Sequence, residues 1–460
     1  MAEIFVLLGL LCLTREPVLT FVGSRRLIFV PTRKRILLTA VAIFIAHAGP
    51  LLAQEQHPAF HATTDWDVRP SLKFDALCAL NFLSGDPFYL DYYKSDYDRL
   101  SPQLRPEERA AFVSLKRRIK DENGGIVSAK LALYFSATDA ETLDDLIRVV
   151  KDSSAMQRNL RATPYYDDDG WKVYEESRPD LEAAFRALKR IHFEDDWEKH
   201  ARPGIEKSRA AIVRDLPKYN VIPAVESVLG VPRPTNKITV YLLYYSEPHG
   251  IKITGTRFLT HYSYPFRIVL RNAIHEMMHP PYDLAHDAGL RAALQSLRSD
   301  SFLMDKVEHH DRSFGYNSLE GLEEEDCVQA LEQILAERFG MGGDPRRYWK
   351  EQDDGIHVLA VALYSLMKEQ HFPDHGETFP AFLYRMIHTG HCRTGRSRNS
   401  IEHFSPTRQS VQAVSSCAKR RTSVCNDGRR LHLTGYFCGS GGASGFFSSG
   451  FCSPLGISLP

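Results

Sequence analysis

The pentapeptide His275-Glu276-Met277-Met278-His279 is where chemistry is most concentrated in this 460-residue chain. Residues four apart on an α-helix lie one above the other on the same face, so His275 and His279 can both aim a ring nitrogen at a point about 2 Å from each. With that spacing two imidazoles hold one zinc ion. Glu276 lies round the helix from that axis, where it can take a proton from a metal-bound water without being a ligand, the place a general base needs. Two histidines and a glutamate on an otherwise apolar helix are costly to bury unless their polar atoms are compensated, and a metal ion is the simplest compensation.

The flanking sequence indicates what positions these residues. The run from Phe266 to His279 is rich in good helix formers and apolar residues, which predicts a largely buried helix, and Pro280-Pro281 stops it. Upstream, Lys237 to Tyr245 and Gly250 to Gly255 are rich in β-branched and aromatic residues and bounded by Pro and Gly, which predicts a pair of strands. The stretch 250–256 can serve as a sheet edge that pairs with an extended peptide, holding a backbone with little side-chain choice. Downstream, Glu323 to Gly340 predicts a strong helix with acids in its first turn, Arg338 in its last and Gly340 after it.

Strands followed directly by a His-Glu-x-x-His helix is the order seen in zincin metallopeptidases. Residues 235–340 resemble the gluzincin branch, in which a downstream helix carries a glutamate ligand. The run Glu325-x-x-Val328-x-x-x-Glu332-x-Ile334-Leu335 is similar to that ligand helix. No second histidine or aspartate follows His279 at the short distance of the metzincin pattern, since Asp283 and His286 do not fit it. The resemblance implies an α+β, predominantly helical fold with a zincin-like core of small sheet, active-site helix and ligand helix. It also implies zinc held by His275, His279 and a downstream glutamate, with Glu276 as general base for peptide hydrolysis. On a helical wheel Glu325 and Glu332 share one edge of the stripe formed by Val328, Leu331 and Leu335, while Glu324 points closer to its centre. Glu325 is assigned as the third ligand with Glu324 as the alternative, and the other acids are read as solvating the helix N-terminus. Tyr316, His309 and His310, between the two helices, are candidate oxyanion donors.

Two other functions stay open at this point, because the motif specifies activated water and a polarised carbonyl but not what is attached to it. One is a noncatalytic envelope binding protein on a zincin scaffold with a structural zinc. The other is a zinc hydrolase of a nonpeptide amide. Glu276 favours catalysis, since a structural zinc does not require it and more often closes its fourth position with a protein ligand.

The remaining sequence sets the context. A chain that is 43% hydrophobic and 25% charged, with zero net charge, gives no reason to expect a nucleic-acid partner. Neither a P-loop nor a G-x-S-x-G elbow competes with the metal motif. Arg33-Lys34-Arg35, the apolar run Ile36 to Ala46 and then Pro50 to Gln54 have the layout of a secretory signal peptide. The apolar run is too short to span a bilayer comfortably, so export with a mature start near Gln54 and no stable membrane span is expected. The chain divides into residues 1–53 (extension and signal peptide), 54–230 (mainly helical), 231–390 (zincin-like catalytic domain) and 391–460. In the second region helices are predicted to begin at Pro106, Ala140 and Asp180, and after the ligand helix at Gly355 and Phe379. The last region is rich in Gly, Ser, Arg and Cys without apolar periodicity and reads as a disordered tail. Cys392, Cys417, Cys425, Cys438 and Cys452 lie there and could form disulfides, whereas Cys78 and Cys327 read as buried thiols.

Overall fold

The computed structural model describes residues 60–310, 316–374 and 376–392. They belong to the second of two compact units, which begins at Pro58. The signal peptide and extension expected over 1–53, and the expected tail beyond Cys392, lie outside the described residues.

The architecture is predominantly helical with a four-stranded mixed sheet, an α+β arrangement. Strand β1 (Asp65–Pro70) leads into helix α1 (Leu72–Leu83). Further helices follow, among them α2 (Val127–Ser136), α3 (Asp168–Arg190), α4 (Phe193–His200) and α5 (Val221–Leu229). Next come β2 (Lys237–Leu243), β3 (Ile251–Ile253) and β4 (Arg257–His261), then α6 (Phe266–Met278), α7 (Leu319–Arg338), α8 (Val358–Glu369) and α9 (Phe379–His388). The sheet order is β1-β2-β4-β3, with β1 to β2 and β2 to β4 parallel and β3 antiparallel to β4. Every residue of β2 after Lys237 is buried, as expected of an inner strand covered on both faces. β4 passes through a short turn into α6, whose Val269, Leu270, Ala273, Ile274, Met277 and Met278 are buried. α6 packs along α7, and α7 along α8.

Several expectations change in detail. β1 lies inside the stretch read as mainly helical and pairs with β2 from Asp65 opposite Lys237 to Pro70 opposite Leu242. Only Val68 of this strand is buried, so an edge strand of charged residues carried too little apolar alternation to be recognised. Of the run read as a strand over 250–255, Ile251–Ile253 is strand β3, and the rest turns into β4 at Gly255 with φ +71°. β3 stands at the sheet edge, but Ile251, Lys252 and Ile253 are all buried. α2 packs against them, and Ser136 at its end accepts a hydrogen bond from the Thr254 amide. The stretch 250–256 therefore presents no open edge to a peptide. The helix expected from Ala140 begins at Leu143 because Thr142 caps it, and the one expected from Asp180 is the second half of α3, which runs on through Pro179. Cys78, Cys327 and Cys392 are buried free thiols.

One buried carboxylate ties the sheet to its helices. Asp75 of α1 accepts hydrogen bonds from the Tyr244 and Tyr245 amides at the end of β2 and from the Trp197 indole of α4, at 2.9, 2.8 and 2.7 Å. Replacing Asp75 by Ala leaves these donors without an acceptor in a water-free interior. The variant is expected to lose on the order of 3 kcal/mol of unfolding free energy in denaturant titration, and a loss below about 1 kcal/mol would show that the three donors find other partners.

Candidate metal centre

α6 places His275 in its last turn, fully buried. His279, expected on the same helix, is instead its C-cap, with φ −73° and ψ 133°. Pro280 is the reason, since the residue before a proline is pushed out of the helical region. The Nε2 atoms of His275 and His279 nevertheless stand 3.2 Å apart. Glu325 of α7 brings one carboxylate oxygen to 3.6 Å from His275 Nε2 and the other to 3.8 Å from His279 Nε2. Two donors each about 2.0–2.1 Å from one tetrahedral ion stand about 3.3 Å apart. His275, His279 and Glu325 thus form a buried group that could hold a metal ion.

The far sides of the two imidazoles make the same point through hydrogen-bond chemistry. His275 Nδ1 faces Glu332 at 3.3 Å, and His279 Nδ1 faces Glu324 at 3.0 Å. A carboxylate in that position accepts a hydrogen bond from Nδ1–H and favours the tautomer that keeps Nε2 as a lone pair. Two such lone pairs at 3.2 Å are favourable when a metal ion sits between them, and in its absence a proton on one Nε2 makes the contact a hydrogen bond. Arg271, one turn before His275, donates to the other oxygen of Glu332 at 2.6 Å and fixes that carboxylate in turn.

α7 departs from its expected form here. It begins at Leu319, where the Ser318 hydroxyl accepts from the Gly321 amide, so Glu323, Glu324, Glu325 and Asp326 fall beyond the first turn. All four are buried, as is Glu332. They do not solvate a helix end. Glu324, the alternative third ligand, and Glu332 stand behind the histidines, and Glu325 alone of the three faces both Nε2 atoms.

Glu276 is fully buried, and neither of its carboxylate oxygens has a hydrogen-bond partner among the described residues. Burial pushes its carboxyl well above the usual carboxylate range, Lys252 of β3 acts against that, and Glu325 and Glu332 add to it. Burial likewise lowers the Lys252 ammonium to about 7, opposed by Glu276. Gly250 approaches from the chain before β3. A Cβ there would lie 3.1 Å from Asn272 Nδ2 and 3.6 Å from Glu276 Oε1.

Behind Glu325 lies a second polar layer that no motif announced. Gln329 donates to Glu325 at 3.1 Å and also touches His357, whose Nδ1 meets Asp326 at 2.7 Å and whose Nε2 meets Asp353 at 3.0 Å. The second oxygen of Asp326 accepts from the Leu359 and Ala360 amides and so caps α8, which is why this helix starts at Val358 and not at Gly355. Burial alone would lower the His357 pKa, but Asp326 and Asp353 raise it to about 10. Tyr316, buried with φ +55°, sets its ring against His357 at 5.5 Å. His310 turns Nδ1 to the Lys306 and Val307 carbonyls, and His309 is exposed beside Asp305. His309 is therefore not brought to the cluster, and Tyr316 lies in the layer behind Glu325. Spacing in the sequence could not reveal His357 or Lys252, each of which comes from an element far from the motif; a cation inside a three-residue apolar strand is the one signal that Lys252 offered.

No family model matches the chain, and no curated protein or solved structure matches it either.

Replacing Glu332 by Gln is expected to weaken metal binding about 10- to 100-fold, read by competition with a chromogenic chelator, and an unchanged affinity would remove its orienting role. His357 supplies a pH dependence. Its pKa in the folded protein lies above the unfolded value of about 6.5, so its contribution to stability is fully present below about pH 6.5 and is lost as pH rises through about 10. Unfolding free energy should decline across that window more steeply in the native protein than in His357→Gln, and parallel profiles would contradict the assignment.

Proposed function

We propose that the protein is a zinc metallopeptidase of gluzincin type, with His275, His279 and Glu325 as ligands and Glu276 as general base. The observation that carries this is the convergence of two Nε2 lone pairs and one carboxylate on a point beside a second buried carboxylate whose oxygens have no hydrogen-bond partner among the described residues. Two imidazoles and one carboxylate suit zinc, and three protein ligands leave the open position that a catalytic site keeps. The chain order of small sheet, motif helix and ligand helix supports the gluzincin resemblance.

When bound, zinc supplies a water that is acidic near neutral pH and a positive charge to polarise the scissile carbonyl. With zinc held by His275, His279 and Glu325, Glu276 would take the proton that leaves such a water as it adds to the carbonyl carbon. As the carbon–nitrogen bond breaks, Glu276 returns that proton to the departing amine, and the carboxyl product and free amine balance the reaction. An unbonded Glu276 suits both halves, because a carboxylate already saturated by donors would be a poor base. Glu332 and Glu324 keep the two imidazoles in the tautomer that offers Nε2, and Arg271 holds Glu332 in place.

Export is part of the same proposal and rests on the basic, apolar and small-residue order of residues 33–54. Among the described residues no helix is long and apolar enough to cross a membrane.

The test pairs metal content with cleavage of a mixed peptide library. The native protein should hold close to one zinc and cut peptides, while Glu276→Gln should keep its zinc and lose about 10²- to 10⁴-fold in rate. His275→Ala with His279→Ala should lose both metal and activity. A folded, zinc-loaded native protein that cuts no peptide in the library would end the peptidase reading.

A further inference from the structure

Two cations near Glu276, Lys252 buried and Arg233 half-buried, touch no carboxylate among the described residues, although Glu276 acts on Lys252 and Glu226 on Arg233 from further off. Lys252 is 3% exposed, and its ammonium makes one hydrogen bond, 2.9 Å to the Gly255 carbonyl. Arg233, half-buried in the loop between α5 and β2, donates through one terminal nitrogen to the Met278 carbonyl at 3.3 Å, and its Nε is shut from solvent without a partner. Neither cation makes an ion pair among the described residues. The carboxylate closest in sequence to the Arg233 backbone contact, Glu226, is already occupied by the Arg233 amide, the His61 amide and the His61 ring. A buried cation without a counter-charge is costly, and such groups persist where a ligand completes them.

The placement of these groups relative to the reacting residues gives the cations a direction. Arg233 is anchored on the carbonyl just before His279, and Lys252 lies in range of the charges of both Glu276 and Arg233. Tyr165 lies in range of Arg233, Glu276 and Glu324. Gly250 keeps this side of Glu276 free of a side chain, since a Cβ would press on Asn272. Two cations, a carboxylate with no hydrogen-bond partner among the described residues and a glycine that lets the chain approach it closely thus gather beside the candidate metal cluster. The two cations and the carboxylate keep unused hydrogen-bonding capacity.

We propose that Arg233 and Lys252 form the receptor for a substrate carboxylate beside the bond that Glu276 hydrolyses, an inference that rests on the hydrolytic reading of the site. The substrate class is then a peptide with a free carboxylate next to the scissile bond. A planar guanidinium and a point-charge ammonium can each take one carboxylate oxygen. The same charges keep the substrate carboxylate from drawing a proton onto Glu276, which must itself stay able to exchange one. That carboxylate belongs either to the peptide C-terminus or to an acidic side chain, and the chemistry of recognition is the same.

The experiment measures calorimetric binding to zinc-loaded full-length protein carrying Glu276→Gln, so that no ligand is consumed. The ligands are N-acetyl-glycyl-phenylalanine, its C-terminal amide, and N-acetyl-glycyl-glutamic acid with an amidated terminus. At least one of the two acids should bind about tenfold or more tightly than the uncharged amide, and whichever does so identifies the source of the carboxylate. Arg233→Gln and Lys252→Met should each erase most of that preference, and Arg233→Lys should restore part of it. Equal binding of acids and amide overturns the proposal. So does a preference that survives both substitutions, which would put the carboxylate on the metal. Peptide cleavage by the native protein is scored separately: binding preference without cleavage keeps the receptor and ends the peptidase reading, and cleavage indifferent to the carboxylate does the reverse.

Discussion

Two imidazole Nε2 atoms held 3.2 Å apart in a buried site are the constraint on which this structure turns. Nothing in an isolated helix favours that approach. It is imposed by a carboxylate behind each ring, one of them gripped by Arg271, and by the packing of α6 on α7 that brings those carboxylates within reach. The packing in turn requires that most of α7 be buried, acids included: Glu324, Glu325, Asp326 and Glu332 meet a histidine, a guanidinium, a glutamine or backbone amides, whereas one oxygen of the buried Glu323 has no hydrogen-bond partner among the described residues. With both Nε2 atoms unprotonated and no cation between them, like poles would face one another in a medium with little water to screen them.

The layers around that point act as successive supports. Glu325 is steadied by Gln329, which meets His357, which lies between Asp326 and Asp353, and Asp326 caps α8. A chain of polar contacts therefore runs from the candidate metal ligand to the start of a separate helix, broken only where Gln329 meets the protonated His357. On the opposite side the sheet supplies Lys252 from β3, and Asp75 ties β2 to α1 and α4. Chemistry and architecture meet in the same residues, since Asp326 both faces His357 and caps α8, and Asp75 ties the sheet that carries Lys252 to two helices.

What the sequence made legible follows from which signals are local. The five residues from His275 to His279 name their own neighbours, because four positions along a helix fix a distance; even so, the proline after them moved His279 off the helix without moving its ring away from His275. Glu325 and Glu332 shared an edge of the apolar stripe, and that edge is the one turned to α6. The roles of Glu324 and Glu332 were not legible, since a helix buried on nearly every side has no polar face to read, and acids in such a place look like a charged terminus. Lys252, Arg233 and His357 reach the cluster through tertiary contacts spanning tens of residues, and β1 escaped notice because an edge strand of charged residues has no alternation to display. The composition and motif order were enough for the α+β class, but not for the strand order of the sheet.

α7 also limits how such a protein can change over generations. It carries the candidate ligand, both acids that orient the histidines, and the cap of α8 on one continuous helix buried on nearly all sides. Inserting or deleting one residue ahead of Glu324 would turn everything beyond it by about 100° and slide it about 1.5 Å, carrying all of these groups out of register at once. The loops on either side can lengthen or shorten, while the helix itself can vary only by exchange of one side chain for another. The spacing Glu324, Glu325, Asp326, Gln329, Glu332 is therefore a single inherited unit, and any descendant that has lost one interval within it has lost the centre as a whole.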